Sequence, residues 1–224
     1  MMNRTAVLGA ISATILVVWS LTPTFAKHGD TAADFEEKSI AMVRDNFDFS
    51  IAGGGHHGRW RVVRDSTAIG GTALEQSSED PLEEWHPLAI YKSLSLKNFA
   101  VSTRFKLIDG TTQSAGIAFL FLNLGTYYFV GASALEGRVD FFRVYAGTIE
   151  RVGGTETNVT LECWHVLSVV AENDHFTVSL DNAALFTAWD RTILGDGRIG
   201  LWTGEDDVIR FDQLEIRTRQ ALAP

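Results

Sequence analysis

The chain has 224 residues, a formal net charge of −9 at pH 7 and one cysteine, Cys163. An acidic surface repels nucleic acid and anionic lipid, so we expect no nucleic acid as a partner. A lone cysteine excludes a framework of internal disulfides.

The first 26 residues have the pattern of a cleaved signal peptide. Arg4 supplies a positive charge, residues 6–21 are uncharged and mostly apolar, and Thr24-Phe25-Ala26 fits a small-residue cleavage site. The apolar stretch is shorter than the roughly 20 residues that span a bilayer. We therefore predict a signal peptide over 1–26, a mature chain that starts at Lys27, and export to the periplasm or the extracellular space. The mature protein is not expected to be embedded in the membrane.

Residues 35–217 predict one all-β domain, between a short linker at 27–34 and a tail at 218–224. Short alternating or apolar runs are separated by Gly, Asn and Asp, with no sustained helical period. The run at 99–107 alternates, and 115–122 is apolar on both faces, as in a central strand. Asp181-Asn182 marks a hairpin. This pattern favours a sandwich or a barrel.

The segment LWTGEDDVIRF, residues 201–211, places three acids between two apolar runs. We predict a turn between two strands, with Asp206 as its structural acid, accepting backbone N–H bonds inside the turn. The parity of the second strand changes near Asp212-Gln213, which predicts a β-bulge there. A structural calcium ion on this turn is the alternative, and no other cofactor is predicted. The Glu-x-Asp-x-x-Glu pattern of sandwich-fold glucanases is absent.

Cys163 lies in LECWHVLSVV, between apolar residues at strand spacing. Free cysteine is among the most buried residue types, so we predict a buried and inert thiol. His165, two residues further on, is weak evidence for a catalytic base.

Two blocks, WHVLSV at 164–169 and GRIGLWTGEDDVIRFD at 197–212, are similar to motifs of a known family. The chain resembles the bacterial concanavalin A-like sandwich domains of the 3-keto-disaccharide hydrolase, or family-16-glycosidase-like, group. The resemblance covers most of 35–216. It implies a concanavalin A-like jelly-roll β-sandwich of two antiparallel sheets.

The middle strands depart from that family's pattern. The family's aspartate, its two arginines and its last asparagine fall here on Gln113, Phe121, Gly131 and Ser133. In the family these positions imply one polar patch on the concave sheet. The resemblance therefore implies that the scaffold is kept while the ligand has changed or the activity has been lost.

We predict an exported, non-catalytic module that binds a glycan or glycan-like ligand on its concave sheet. The alternatives are a glycoside hydrolase or lyase acting on (3-keto-)disaccharides, and a cell-envelope protein-interaction module. A pocket with two convergent carboxylates would favour the hydrolase. No catalytic residue or metal ligand is predicted. Aromatic rings that stack on sugars and the remaining polar groups give the candidate ligand-binding residues: Trp85, His86, Phe121, Tyr127, Ser133, Glu136, Arg143 and Trp202.

Overall fold

The computed structural model describes residues 30–34, 43, 45–52, 58–77 and 86–219, which contain 15 strands in two antiparallel sheets. This confirms the predicted fold class, a jelly-roll β-sandwich of two antiparallel sheets. The predicted signal peptide, the tail from 220 onward, the glycine-rich stretch 53–57 and Trp85 lie outside the described residues. Among the described residues, no helix is long and apolar enough to cross a membrane.

The strands of the eight-stranded sheet are β1 (Asp30–Asp34), β3 (Arg59–Arg64), β4 (Thr72–Ser77), β6 (Phe99–Asp109), β11 (Trp164–Glu172), β12 (His175–Leu180), β13 (Ala183–Trp189) and β15 (Val208–Thr218). Their order is β13-β12-β11-β6-β15-β4-β3, and β1 also pairs with β15. The strand β1 lies inside the stretch predicted as a linker and pairs with Gln213–Arg217 of β15.

The strands of the seven-stranded sheet are β2 (Phe47–Ala52), β5 (His86–Tyr91), β7 (Ser114–Asn123), β8 (Thr126–Ser133), β9 (Arg138–Tyr145), β10 (Thr148–Glu156) and β14 (Arg198–Thr203). Their order is β10-β9-β8-β7-β14-β5-β2. The run at 115–122 lies in β7, the middle strand, which confirms its prediction as a central strand.

The core lies between the sheets and is filled by alternate side chains from each strand. The predicted inward face of β6 is confirmed, because Phe99, Val101, Phe105 and Leu107 are all buried in this core. An aromatic cluster from both sheets packs at its centre: Phe119, Tyr128, Phe141 and Phe176, with ring centroids 5.1–5.7 Å apart.

Two local predictions are confirmed by the backbone. Asp181 and Asn182 both have positive φ, 50° and 65°, and connect β12 to β13 as a two-residue hairpin turn. The pairing of β15 with β6 shifts register between Phe211 and Gln213, which makes Asp212 a bulge residue. Its buried carboxylate bonds to Arg104 and accepts the backbone N–H of Ile69 at 2.9 Å.

The outer face of the eight-stranded sheet carries a charged row across five strands. The strand register aligns Trp164, Lys106, Arg210, Glu75 and Arg61 in this order. Buried Glu75 accepts hydrogen bonds from Arg61 Nε and Arg210 Nε, both at 2.8 Å. The Lys106 ammonium lies 4.7 Å from the centroid of the Trp164 ring. Glu75 thus pairs with both arginines of the row, while Asp65, outside the row, pairs with Lys106 and Arg210.

Candidate functional site

The outer face of the seven-stranded sheet has an apolar cluster of its own. On β14, Ile199 and Leu201 face the core while Trp202 joins this outer cluster. On β8, Tyr128 faces the core while Tyr127 and Phe129 face outward. Polar side chains would ordinarily alternate outward on a solvated sheet, so these buried aromatic residues form a second apolar layer on the outer face.

Four rings form a continuous stack on this face. Trp202 stacks on Phe129 with ring centroids 4.5 Å apart and planes 13° apart, and Phe129 stacks on Phe142 at 4.8 Å and 16°. On the other side, the His86 ring lies 4.9 Å from Trp202. We call these four residues, His86, Trp202, Phe129 and Phe142, the aromatic row. It extends across β5, β14, β8 and β9.

Glycine at position 131 makes room for the Trp202 ring. A Cβ atom at Gly131 would lie 3.3 Å from Trp202 Cζ3, tighter than ordinary contact. Trp202 is only 5% exposed, so its ring is enclosed by its neighbours and does not project into solvent. A side chain at this position would therefore crowd the ring, so Gly131 lets the Trp202 ring lie over the sheet here.

A pocket of about 280 Å³ opens over the aromatic row. Its rim carries two exposed apolar side chains, Leu135 (64%) and Ile149 (47%). The lining comprises His86, Thr112, Ser114, Phe129, Gly131, Ser133, Leu135, Glu136, Asp140, Phe142, Ile149, Trp202 and Gly204. The site therefore joins an apolar floor of aromatic rings to a small set of hydroxyl and carboxylate groups.

The two carboxylates of the pocket have different environments. Asp140 is buried, and its Oδ1 atom accepts hydrogen bonds from Arg138 Nη2 at 3.0 Å and Arg151 Nε at 2.7 Å. Arg138 Nε also bonds to Asp140 Oδ2. Two guanidinium groups thus balance this one acid. Glu136 is exposed and lies 3.9 Å from Arg138 Nε.

His86 is neutral in this setting. Burial lowers its pKa to about 4, although a hydrogen bond with the backbone of Thr203 pulls in the opposite direction. Within the described part of the chain, neither His86 Nδ1 nor Trp202 Nε1 has a hydrogen-bond partner, and both atoms are buried. Buried polar atoms are nearly always bonded, so two such atoms in one pocket call for an explanation.

The structure brings together only part of the predicted site. His86, Ser133, Glu136 and Trp202 all line the pocket. The hydroxyl group of Ser133 also orders the rim, because it donates to Thr112 O and accepts from Glu136 N–H, both at 3.2 Å.

Phe121 and Tyr127 belong to the outer cluster but lie beside the pocket, not in its lining. A register irregularity between β7 and β8, with Leu120 at φ 45°, turns Phe121 to the outer face. Tyr127 is fully buried, and burial raises the pKa of its hydroxyl group. Trp85 falls outside the described residues.

Arg143 does not reach this pocket, contrary to its prediction as a groove residue. It lies on the core-facing side of β9, opposite Tyr128 of β8. There it bonds to Asp190, Glu150 and Thr192 Oγ1, the last at 2.9 Å. The sequence offers one signal that would have predicted this: Arg143 has the parity of core residues Val139 and Phe141.

Sequence reasoning missed several pocket residues, namely Phe129, Leu135, Asp140, Phe142 and Ile149. Strand alternation would have found Phe129, which shares parity with Tyr127, and Asp140, which shares parity with Phe142. Ile149 lies in β10 opposite Val144 of the outer cluster, but that pairing is not visible in the sequence. Leu135 carries no strand signal, because it lies in the turn between β8 and β9.

The acidic turn at 205–207 holds the neighbouring loop at 111–114 in place, but through a different acid from the one predicted. The turn between β14 and β15 is confirmed, but Asp207, not Asp206, is the fully buried acid. It accepts backbone N–H bonds from Thr112, Gln113 and Ser114 at 3.1, 2.7 and 2.7 Å. Burial raises the pKa of Asp207, while these bonds and one from the Thr112 hydroxyl oppose that shift.

Asp206 also bonds across to the other loop and not inside its own turn. Its carboxylate accepts the backbone N–H of Thr111 at 3.2 Å and bonds to the Thr111 hydroxyl. The two acids therefore fix the loop whose Thr112 and Ser114 line the pocket. Gly204 is required in this arrangement, because a Cβ atom there would lie 2.0 Å from Thr112 Oγ1.

Two further sequence predictions concern chemistry. Cys163 is exposed, so the prediction of a buried thiol is wrong. The strand β11 begins only at Trp164, which leaves Cys163 in the preceding turn. His165 bonds to Asp181 and Thr160 at 2.7 and 3.0 Å, a structural arrangement. Among the described residues, no group of three or more His, Cys, Asp or Glu side chains could hold a metal ion.

The fold and the pocket define a jelly-roll β-sandwich with an aromatic pocket on one sheet. No family model matches the chain, and no curated protein matches it. The resemblance to the 3-keto-disaccharide hydrolase group therefore stays a prediction.

Solved structures share the fold. The carbohydrate binding module CBM66 from Bacillus subtilis has a TM-score of 0.60 and 19% identity, covering 78% of this chain and 98% of that one. The cellulose induced protein Cip1 has a TM-score of 0.66 and 11% identity, covering 86% and 100%. The Bacillus licheniformis β-glucanase has a TM-score of 0.56 and 12% identity, covering 87% and 100%. At these identities the likeness shows the fold alone.

Proposed function

We propose that this chain is an exported, non-catalytic module that binds a neutral glycan in the pocket over the aromatic row. The observation that carries this proposal is the stack of Trp202, Phe129 and Phe142 beneath an open pocket with a polar rim. Proteins with this fold include one named a carbohydrate binding module. The signal-peptide pattern of residues 1–26 supports export.

The chemistry of the pocket suits a sugar. The C–H face of a pyranose or furanose ring packs on aromatic surface, while its hydroxyl groups need polar partners at the edge. Ser133, Thr112 and Ser114 carry hydroxyl groups at that edge; all three already bond within the protein, so each would offer a sugar its remaining acceptor capacity. The volume of about 280 Å³ is close to the smallest ligand pockets, roughly 300 Å³. The site therefore suits one sugar unit, at the end or along the side of a longer chain.

A hydrolase is the second candidate, because the pocket holds two carboxylates, Glu136 and Asp140. Glycoside hydrolysis needs one carboxyl group that can give a proton and one that can attack or activate water. Asp140 is bonded to Arg138 and Arg151, which compensate its charge and occupy its oxygen atoms. That environment disfavours a proton-donating role and supports binding over catalysis.

The proposal is tested by blocking the pocket with Leu135→Arg and titrating wild type and variant with cellotetraose, laminaritetraose and an inulin-type fructotetraose by calorimetry. We expect the wild type to bind at least one of these, and the variant to bind it at least tenfold more weakly, since a long charged side chain would fill the apolar rim. Leu194→Arg is the matched control, because Leu194 is equally exposed (67%) and lies outside the pocket.

If Leu135→Arg and Leu194→Arg bind the sugar equally well, the sugar does not bind in this pocket. The same samples, followed by chromatography, test the second candidate. Release of shorter sugars by the wild type, lost in Glu136→Gln, would establish the hydrolase in place of the binding module.

A further inference from the structure

Two nitrogen atoms in the pocket lining are unusual because they lack partners. His86 Nδ1 and Trp202 Nε1 are both buried, and neither has a hydrogen-bond partner in the part of the chain that the structure describes. Their rings are adjacent, with centroids 4.9 Å apart, and both residues line the same pocket. Asp140 and Ser133, in the same lining, do have partners. Tyr127 Oη, on the same face beside the pocket, also lacks a partner among the described residues, so what distinguishes the two nitrogens is that their residues line the pocket.

The protonation of each ring fixes what it can bond. The indole Nε1–H of Trp202 is a donor only. The hydrogen bond of His86 with the Thr203 backbone falls to Nε2, because Nδ1 has no partner among the described residues. In neutral imidazole a proton on Nε2 leaves Nδ1 as an acceptor. The two adjacent rings thus carry one unpartnered donor and one unpartnered acceptor.

We infer that His86 and Trp202 form a subsite for a single hydroxyl group of the bound sugar, which donates to His86 Nδ1 and accepts from Trp202 Nε1–H. A hydroxyl group is both a donor and an acceptor, so it satisfies both atoms at once. A carboxylate or phosphate could pair with the indole but not with the imidazole acceptor, and an amine would do the reverse. This inference rests on the proposed function and narrows it to hydroxyl-bearing, uncharged ligands.

Binding at this subsite requires a small rearrangement. Both nitrogens are shielded from bulk solvent in this structure, although their rings line the pocket. His86 is the less buried of the two residues, so its ring is the one that moves when a sugar enters. The stacking of Trp202 on Phe129 keeps the indole in place.

The first test uses the wild-type protein and two-dimensional ¹H–¹⁵N NMR. The indole N–H resonance of Trp202, assigned by its loss in Trp202→Phe, is followed during titration with cellotetraose, laminaritetraose and an inulin-type fructotetraose. We expect the sugar that binds to shift this resonance downfield, as a new hydrogen bond does. A bound sugar that leaves the resonance unchanged would overturn the subsite.

The second test separates hydrogen bonding from ring packing. His86→Phe keeps a ring against Trp202 and removes the acceptor, and we expect it to bind the same tetraose roughly tenfold more weakly, the loss expected when one buried hydrogen bond is removed. Trp202→Phe, which removes the donor, should give a loss of similar size. Thermal melts and dispersed NMR spectra check that both variants are folded.

The outcomes distinguish the two proposals. Wild-type affinity in both variants would overturn the hydroxyl subsite while leaving the glycan-binding function in place. Failure of the wild type to bind any of the three tetraoses would overturn both the function proposed for the pocket and the subsite that depends on it.

Discussion

Replacing Asp207 with alanine should lower the free energy of unfolding by about 3 kcal/mol or more, since three backbone N–H groups would lose a charged acceptor and each such bond contributes roughly 1.5–3 kcal/mol. Those groups belong to Thr112, Gln113 and Ser114, and Asp207 is 0% exposed. Gln113 has φ 47°, so the loop adopts a conformation that needs external support. Urea denaturation of the purified protein measures the effect.

The neighbouring acids are the controls for this prediction. Asp206→Ala removes bonds to Thr111 alone and should cost about 1 kcal/mol. Glu205→Ala changes a half-buried turn residue and should be close to neutral. If Asp206→Ala or Glu205→Ala destabilises as much as Asp207→Ala, the buried carboxylate is not what holds the two loops together.

The second large effect is expected at the buried ion pair of Asp65 and Lys106, whose side chains are almost fully buried. Lys106→Met should destabilise the protein by about 3 kcal/mol, the lower end of the cost of breaking a buried ion pair, because it removes one of the two cations that pair with Asp65. Asp65 also accepts bonds from Thr67 N–H at 3.0 Å and Arg210 Nη1 at 3.0 Å, so part of its support survives. The double variant Asp65→Asn/Lys106→Met should cost clearly less than the sum of the single changes. Additive losses in urea denaturation would show that the pair is not coupled.

The same pair predicts a pH dependence. Burial alone would raise the pKa of Asp65, but hydrogen bonds from Lys106, Thr67 and Arg210 outweigh it and hold the pKa well below its ordinary value of 3.8. The folded protein therefore binds a proton here less readily than the unfolded chain. Stability from this group is present above the ordinary pKa and is lost as the pH falls below it. In Lys106→Met this acid-induced loss should be shallower, and an unchanged pH profile would contradict the assignment.

Strand alternation predicted most of the fold, because the buried and exposed faces of a half-buried strand appear in the sequence as alternating apolar and polar residues. The inward face of β6 and the bulge at Asp212 followed from parity alone. The hairpin at Asp181-Asn182 followed from residues that tolerate positive φ. These are local properties, and a single sequence contains them.

The errors come from contacts between distant segments. The sequence places Asp206 and Asp207 side by side, and only the approach of the loop at 111–114 decides which acid is buried. The exposure of Cys163 depends on where β11 begins, and it begins at Trp164, which leaves Cys163 in the preceding turn. Element boundaries are set by tertiary pairing, which local sequence does not record.

The candidate site was predicted in part for the same reason. His86 and Trp202 were expected on one face, yet the pocket also includes Leu135 from the turn between β8 and β9 and Ile149 from β10, which come together only in the folded sheet. The role of Gly131 is equally non-local, because the Trp202 ring that lies against it comes from a different strand.

The most direct measurement is a crystal structure of the protein soaked with the tetraose that binds in calorimetry. Our proposal predicts one sugar ring packed over Phe129 and Phe142, an intact glycosidic bond, and one hydroxyl group between His86 Nδ1 and Trp202 Nε1. A sugar bound on the outer face of the eight-stranded sheet, or a cleaved sugar beside Glu136, would contradict the central claim that this pocket is a non-catalytic glycan site.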